Sequence, residues 1–134
     1  MREASVIIPA AYGSDAEAAF QVHAQFKALV ARRFGGVTVV AGHGADPVEP
    51  AGEDVFIYTV AMADTHDNDA ALLQFALAAW SALDQQFGYI RLASGDVEII
   101  DVRKALKHGL VRIPSGLVPA SPDVTPTTQA VQSI

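Results

Sequence analysis

The stretch Asp54-Val-Phe-Ile-Tyr-Thr-Val-Ala-Met62 constrains the chain most. Its β-branched and aromatic content predicts a strand, and its two alternating sets, Phe56, Tyr58, Val60, Met62 and Val55, Ile57, Thr59, Ala61, are both largely apolar. A strand with no polar face lies inside a sheet and is covered on each side. That excludes an all-helical bundle and a solvent-washed hairpin, and the remaining elements must supply the cover.

Residues 4–10 predict a first strand, with Pro9 near its end because proline donates no ladder hydrogen bond. Ser14 and Glu17 form a capping-box pattern that starts a helix; Ala19, Val22, Phe26, Leu29 and Val30 share its apolar face, and Gly35-Gly36 ends it. Val37–Ala41 predicts a second strand, followed by a loop from Gly42 to Glu53. After the strand over Asp54–Met62, the polar run Asp64–Asp69 leads into a second helix reaching Phe87, whose wide apolar arc includes Leu72, Phe75, Trp80, Leu83 and Phe87. Tyr89–Ala93 and Val97–Asp101 predict two strands joined at Ser94-Gly95, the alternative being one bent strand, and residues 103–109 a short helical turn.

The order β-α-β-β-α-β with an extra strand predicts an α+β fold of the ferredoxin-like kind: an antiparallel sheet with both helices on one face. The expected organisation is one domain over 1–113 and a mobile Pro/Ser/Thr-rich tail over 114–134. Two helices shield one face only, so the other, carrying Val55 and Ile57, is expected to meet a second copy in a homodimer. The topology also sorts the loops: Tyr12-Gly13 and Gly42–Glu53 belong at one end of the sheet, Asp64–Asp69, Gly35-Gly36 and Ser94-Gly95 at the other.

Charge and composition exclude several functions. The net charge is −6, and no Lys or Arg occurs between Arg33 and Arg91, while Asp46, Glu49, Glu53, Asp54, Asp64, Asp67, Asp69 and Asp84 do. Nucleic-acid binding, which needs clustered cations, is not expected, and the acidic surface offers itself to a protein partner. Phe56 and Tyr58 on one strand face do not change this, since no basic residues stand between them. The absence of cysteine removes disulfide, thiolate and Cys-zinc chemistry and fits a reducing compartment. No signal-peptide pattern and no long apolar run is found, so a soluble cytoplasmic protein without membrane contact is expected.

Four residues are candidate acid–base groups. His43, between Gly42 and Gly44, is expected on a flexible loop near Tyr12, with Asp46 or Asp101 to orient it. His23 falls on the apolar side of the first helix, where a buried histidine finds a hydrogen-bond partner, and Tyr58 is a second possible donor. Asp64, His66, Asp67 and Asp69 bring metal-ligand types together within six residues, though capping of the following helix already accounts for acids there. His108 beside Lys107 is expected to be solvated. The glycines form no phosphate loop, no serine stands in a nucleophile elbow, and no cofactor is expected.

Phe34-Gly35-Gly36-Val37-Thr38-Val39-Val40-Ala41-Gly42-His43-Gly44, Val55–Val60 and Gly95–Asp101 resemble short, functionally uncharacterised proteins of bacteriophages and bacteria. The resemblance implies a phage or mobile-element setting and brings no catalytic residue. The leading expectation is therefore a non-enzymatic binding or adaptor protein acting through protein–protein contact. The alternative is a cofactor-independent dimeric α+β-barrel enzyme, an isomerase or monooxygenase, with His23 or His43 as base and Tyr12 or Tyr58 as donor.

Overall fold

The computed structural model describes residues 1–11, 15–45, 47 and 50–107. The proposed tail, His108 and the Tyr12-Gly13-Ser14 turn lie outside the described residues. The elements run β1 (Arg2–Pro9), α1 (Ala16–Phe34), β2 (Thr38–Gly44), β3 (Glu53–Met62), α2 (His66–Ala82), β4 (Phe87–Arg91), β5 (Val97–Asp101) and α3 (Val102–Lys107). The five strands pair antiparallel in the order β2-β3-β1-β4-β5, the expected ferredoxin-like arrangement with one strand added beyond β4.

Local chemistry fixes the ends of α1. Its N-cap is Asp15, whose carboxylate accepts from the Ala18 N–H at 3.0 Å, one residue later than the capping box placed it. Gly35 closes it in the left-handed conformation at φ 92°, as glycine does most cheaply. α2 is capped by the Thr65 hydroxyl, which accepts from the Asn68 N–H at 3.2 Å. It stops at Ala82, and the chain re-enters the sheet at Phe87, which is 50% exposed rather than part of the core. β2 runs on to Gly44, so His43 sits on a strand instead of a loop.

The core lies between the helices and one sheet face, where Ala4, Val6, Ile8, Tyr58, Val60 and Ile90 meet Phe26, Val30, Leu72, Leu77 and Trp80, all essentially inaccessible. Trp80 is the largest of these. Its indole lies against Gly88, where any Cβ would collide with the ring, and its N–H donates to the Ile7 carbonyl at 2.9 Å.

That contact shapes the sheet. β1 pairs with β3 as far as Pro9↔Val55, but its ladder to β4 stops at Ile7↔Tyr89. The Ala10 N–H donates to the Asp54 carbonyl on β3, so by the two-residue period Ile7 and Pro9 aim their polar groups at β4. Pro9 has no N–H to give, its carbonyl accepts from His23, and the Ile7 carbonyl is taken by Trp80. α1 thus meets the Pro9 carbonyl beyond the last rung, and α2 adds a bond to the Ile7 carbonyl at that rung.

Gly88→Ala is expected to cost about 3 kcal/mol, because the new methyl overlaps a ring that cannot retreat. Gly36→Ala, with open space around that position, should be nearly neutral. Urea denaturation of the two variants checks this.

Candidate functional site

The chemistry-bearing residues gather at the sheet end where β1 and β2 finish and β3 and β4 begin. On the helix side, α1 carries His23 over β3. The Tyr58 hydroxyl donates to His23 Nδ1, and His23 Nε2 donates to the Pro9 carbonyl at 2.7 Å. A carbonyl can only accept, so Nε2 holds the proton and Nδ1 is the acceptor for Tyr58. His23 is 7% and Tyr58 1% exposed; Phe56 meets the imidazole edge-on at 5.0 Å between centroids, and Phe26 packs on the Tyr58 ring at 4.7 Å.

Burial sets the protonation of this pair. Desolvation holds the His23 pKa below its ordinary value, helped by the charge of Lys27 and opposed by the Pro9 carbonyl. The same desolvation pushes the Tyr58 phenol up. A neutral imidazole with both nitrogens engaged and a phenol that keeps its proton make a locked structural pair, tying α1 to β1 and β3. The structure brings together two of the candidate acid–base residues and uses their hydrogen-bonding capacity internally.

His43 lies at the rim of the same end. Its Nδ1 is 3.2 Å from Asp54 Oδ1 on β3 and its Nε2 3.2 Å from the Ala51 carbonyl, with the imidazole largely in solvent. An orienting acid is Asp54, its register partner; Asp101 instead accepts from the Lys104 N–H at 3.0 Å, and Asp46 lies outside the described residues. Hydrogen bonding to Asp54 raises the His43 pKa, with the Ala51 carbonyl adding to the effect. Tyr12, its expected companion, lies outside the described residues.

At the opposite end Asp64, His66, Asp67 and Asp69 do not converge. Asp64 is 3.9 Å from Arg2, and Asp69 accepts from the Ala93 N–H at 3.0 Å, pinning the β4–β5 connection. Among the described residues no group of three or more His, Asp or Glu could hold a metal ion.

The feature that sequence reasoning missed is on the open sheet face. Where the β1–β4 ladder stops, a concavity of about 270 Å³ is lined by Ile7, Pro9, Val55, Phe87 and Tyr89, with Glu53 and Gln85 at its walls. The signal was present in the alternation: Glu53, Val55 and Ile57 share one face of β3, and Phe87 and Tyr89 one face of β4. An apolar floor, two aromatic rings and one carboxylate suit a flat, partly apolar ligand that carries positive charge.

No family model and no curated protein matches the chain. Two solved structures do. One is a phage SAM lyase in the apo state, with a TM-score of 0.53 and 15% identity over 74% of this chain and 87% of that one. The other is a phage SAM lyase in complex with S-methyl-5′-thioadenosine, with a TM-score of 0.54 and 13% identity over 74% and 88%. The likeness is one of fold. It corrects the expectation of a non-enzymatic adaptor: the fold is shared with an enzyme along most of the chain, and that expectation rested on finding no catalytic signature in the sequence. No described helix is long and apolar enough to cross a membrane.

Tyr58→Phe leaves His23 Nδ1 buried without a donor and is expected to cost about 1–3 kcal/mol in denaturant unfolding. His23 also makes stability depend on pH. The unfolded chain protonates this imidazole near 6.5 whereas the fold holds it neutral, so its contribution is complete above that pH and is lost as pH falls towards the lowered folded value. Melting curves from pH 8 to 5 should show this loss, and the His23→Phe variant should lack it.

Proposed function

We propose that the chain is an enzyme acting on an S-adenosyl sulfonium such as S-adenosylmethionine, releasing S-methyl-5′-thioadenosine from the concavity between Pro9 and Phe87. The observation that carries this reading is the concavity itself: rings from Phe87 and Tyr89 to lie against a purine, an apolar floor for the thioether, and Glu53 at the wall. The fold shared with the phage SAM lyase supports it, as does the ligand held by that enzyme. The net charge of −6 favours encounter with a cationic substrate. A phage or mobile-element origin and a cytoplasmic site of action belong to the same proposal.

The chemistry asks little of the protein. When the carbon–sulfur bond breaks, its electron pair stays on sulfur and the sulfonium leaves as a neutral thioether, so the leaving group needs no proton. In an elimination from the amino-acid arm, the C–H electron pair becomes a carbon–carbon double bond, leaving an unsaturated amino acid as co-product, and the proton passes to a base, the role this proposal gives to Glu53 at the wall of the concavity. A reaction with so good a leaving group runs on positioning in a partly desolvated cleft, consistent with a chain that shows no nucleophile motif.

Incubated with S-adenosylmethionine, the purified protein is expected to form S-methyl-5′-thioadenosine, resolved by liquid chromatography. Glu53→Gln should lower kcat about 100-fold, and Tyr89→Ala should act mainly on KM. Product no higher than in a protein-free control would overturn the proposal.

A further inference from the structure

The corner that brings Gln85 to the wall of the concavity is tied down at several points. α2 ends at Ala82, Asp84 turns the chain at φ 54°, and the Gln85 N–H donates to the Trp80 carbonyl at 2.9 Å. One residue on, the Gln86 carbonyl accepts from the Val102 N–H at 3.0 Å, which joins the corner to the start of α3, and Asp84 pairs with Arg103 at 3.4 Å. The Gln85 side chain is tethered too: its Nε2 donates to the Leu83 carbonyl at 3.3 Å. A carbonyl can only accept, so the amide nitrogen must face Leu83, and turning the amide over would set oxygen against oxygen. The amide oxygen and the second N–H remain side by side, an acceptor and a donor in one plane.

We propose that Gln85 sets the base specificity of the concavity, its amide oxygen accepting from the 6-amino group of a purine that lies against Phe87 and Tyr89 and its second N–H donating to the adjoining ring nitrogen. The inference rests on the reading of this concavity as an S-adenosyl site. Among the described residues that line it, the polar side chains are those of Glu53, Gln85 and Tyr89, and of these the amide matches the paired donor and acceptor that an adenine edge presents. Gln85 stands two residues before Phe87, at most about 7 Å along the chain, so a flat base on that ring has an edge within its reach. A 6-oxopurine would set its own oxygen against the amide oxygen, and the Leu83 tether opposes the flip that would relieve the clash. Because backbone bonds and the tether already hold the corner, little ordering is left to do when the base arrives.

Calorimetric titration of the full-length protein with S-methyl-5′-thioadenosine and with S-methyl-5′-thioinosine, which carries oxygen in place of the 6-amino group, tests it. The wild type is expected to bind the thioinosine about 30-fold more weakly. Gln85→Met keeps the length of the side chain and the backbone bonds of the corner, and it should bring the two constants within about threefold of each other, chiefly by weakening the thioadenosine. A wild type that binds both ligands within about threefold would overturn the inference and leave the proposed reaction standing, and so would a Gln85→Met variant that discriminates as the wild type does. A wild type that binds neither ligand would overturn the proposed reaction and this inference with it.

Discussion

The indole of Trp80 against Gly88 is the contact on which the rest of this molecule turns. It anchors α2 to the sheet at the point where β1 and β4 part, and its N–H donates to the carbonyl of Ile7, the last β1 residue in register with β4. Pro9, two residues on, has no N–H to offer, and His23 takes its carbonyl. Two side chains from the helix layer thus meet the carbonyls at and just beyond the last rung of a central ladder. A buried carbonyl left unmet would cost free energy, so the His23 bond to the Pro9 carbonyl stabilises the gap that opens between β1 and β4 beyond Ile7.

The two faces of that gap have different tasks. On the helix side polar groups are consumed: the His23 nitrogens, the Tyr58 hydroxyl and the Trp80 N–H are all spent on internal bonds, and desolvation keeps the imidazole uncharged. On the open side, the missing rung leaves a hollow between Pro9 and Phe87, floored by aliphatic side chains and walled by Tyr89 and Glu53. Rigidity on one side and vacancy on the other are two results of one arrangement, which suits a site that works by holding its ligand in place.

Much of this was legible in the residues. The doubly apolar run over Val55–Met62 marked a strand inside the sheet, though the helices cover only one of its faces, and the order of elements predicted the sheet topology, with Pro9 at the end of β1. His23 was readable as a buried, partnered histidine because its helical phase placed it beside Val30. Boundaries were less so. Leu83 and Phe87 keep helical spacing, yet α2 ends at Ala82 and Asp84 turns the chain at φ 54°, a conformation no periodicity announces. His43 looked like a loop residue because it stands between glycines; pairing with β3 keeps it in the strand, and only the register reveals Asp54 as its partner. The concavity was hidden for a deeper reason. It is made by a rung that fails to form, and that failure depends on Gly88, Trp80 and Pro9 meeting in space from positions far apart in sequence.

The most direct test of the account is a heteronuclear NMR titration of the isotope-labelled protein with S-methyl-5′-thioadenosine. Saturable amide shifts concentrated at Ile7, Glu53, Val55, Phe87 and Tyr89, with the His23–Tyr58 pair little disturbed, are the expected result. Shifts confined to the outer surfaces of the helices or to the Asp64–Asp69 end, or a spectrum that does not change, would contradict it.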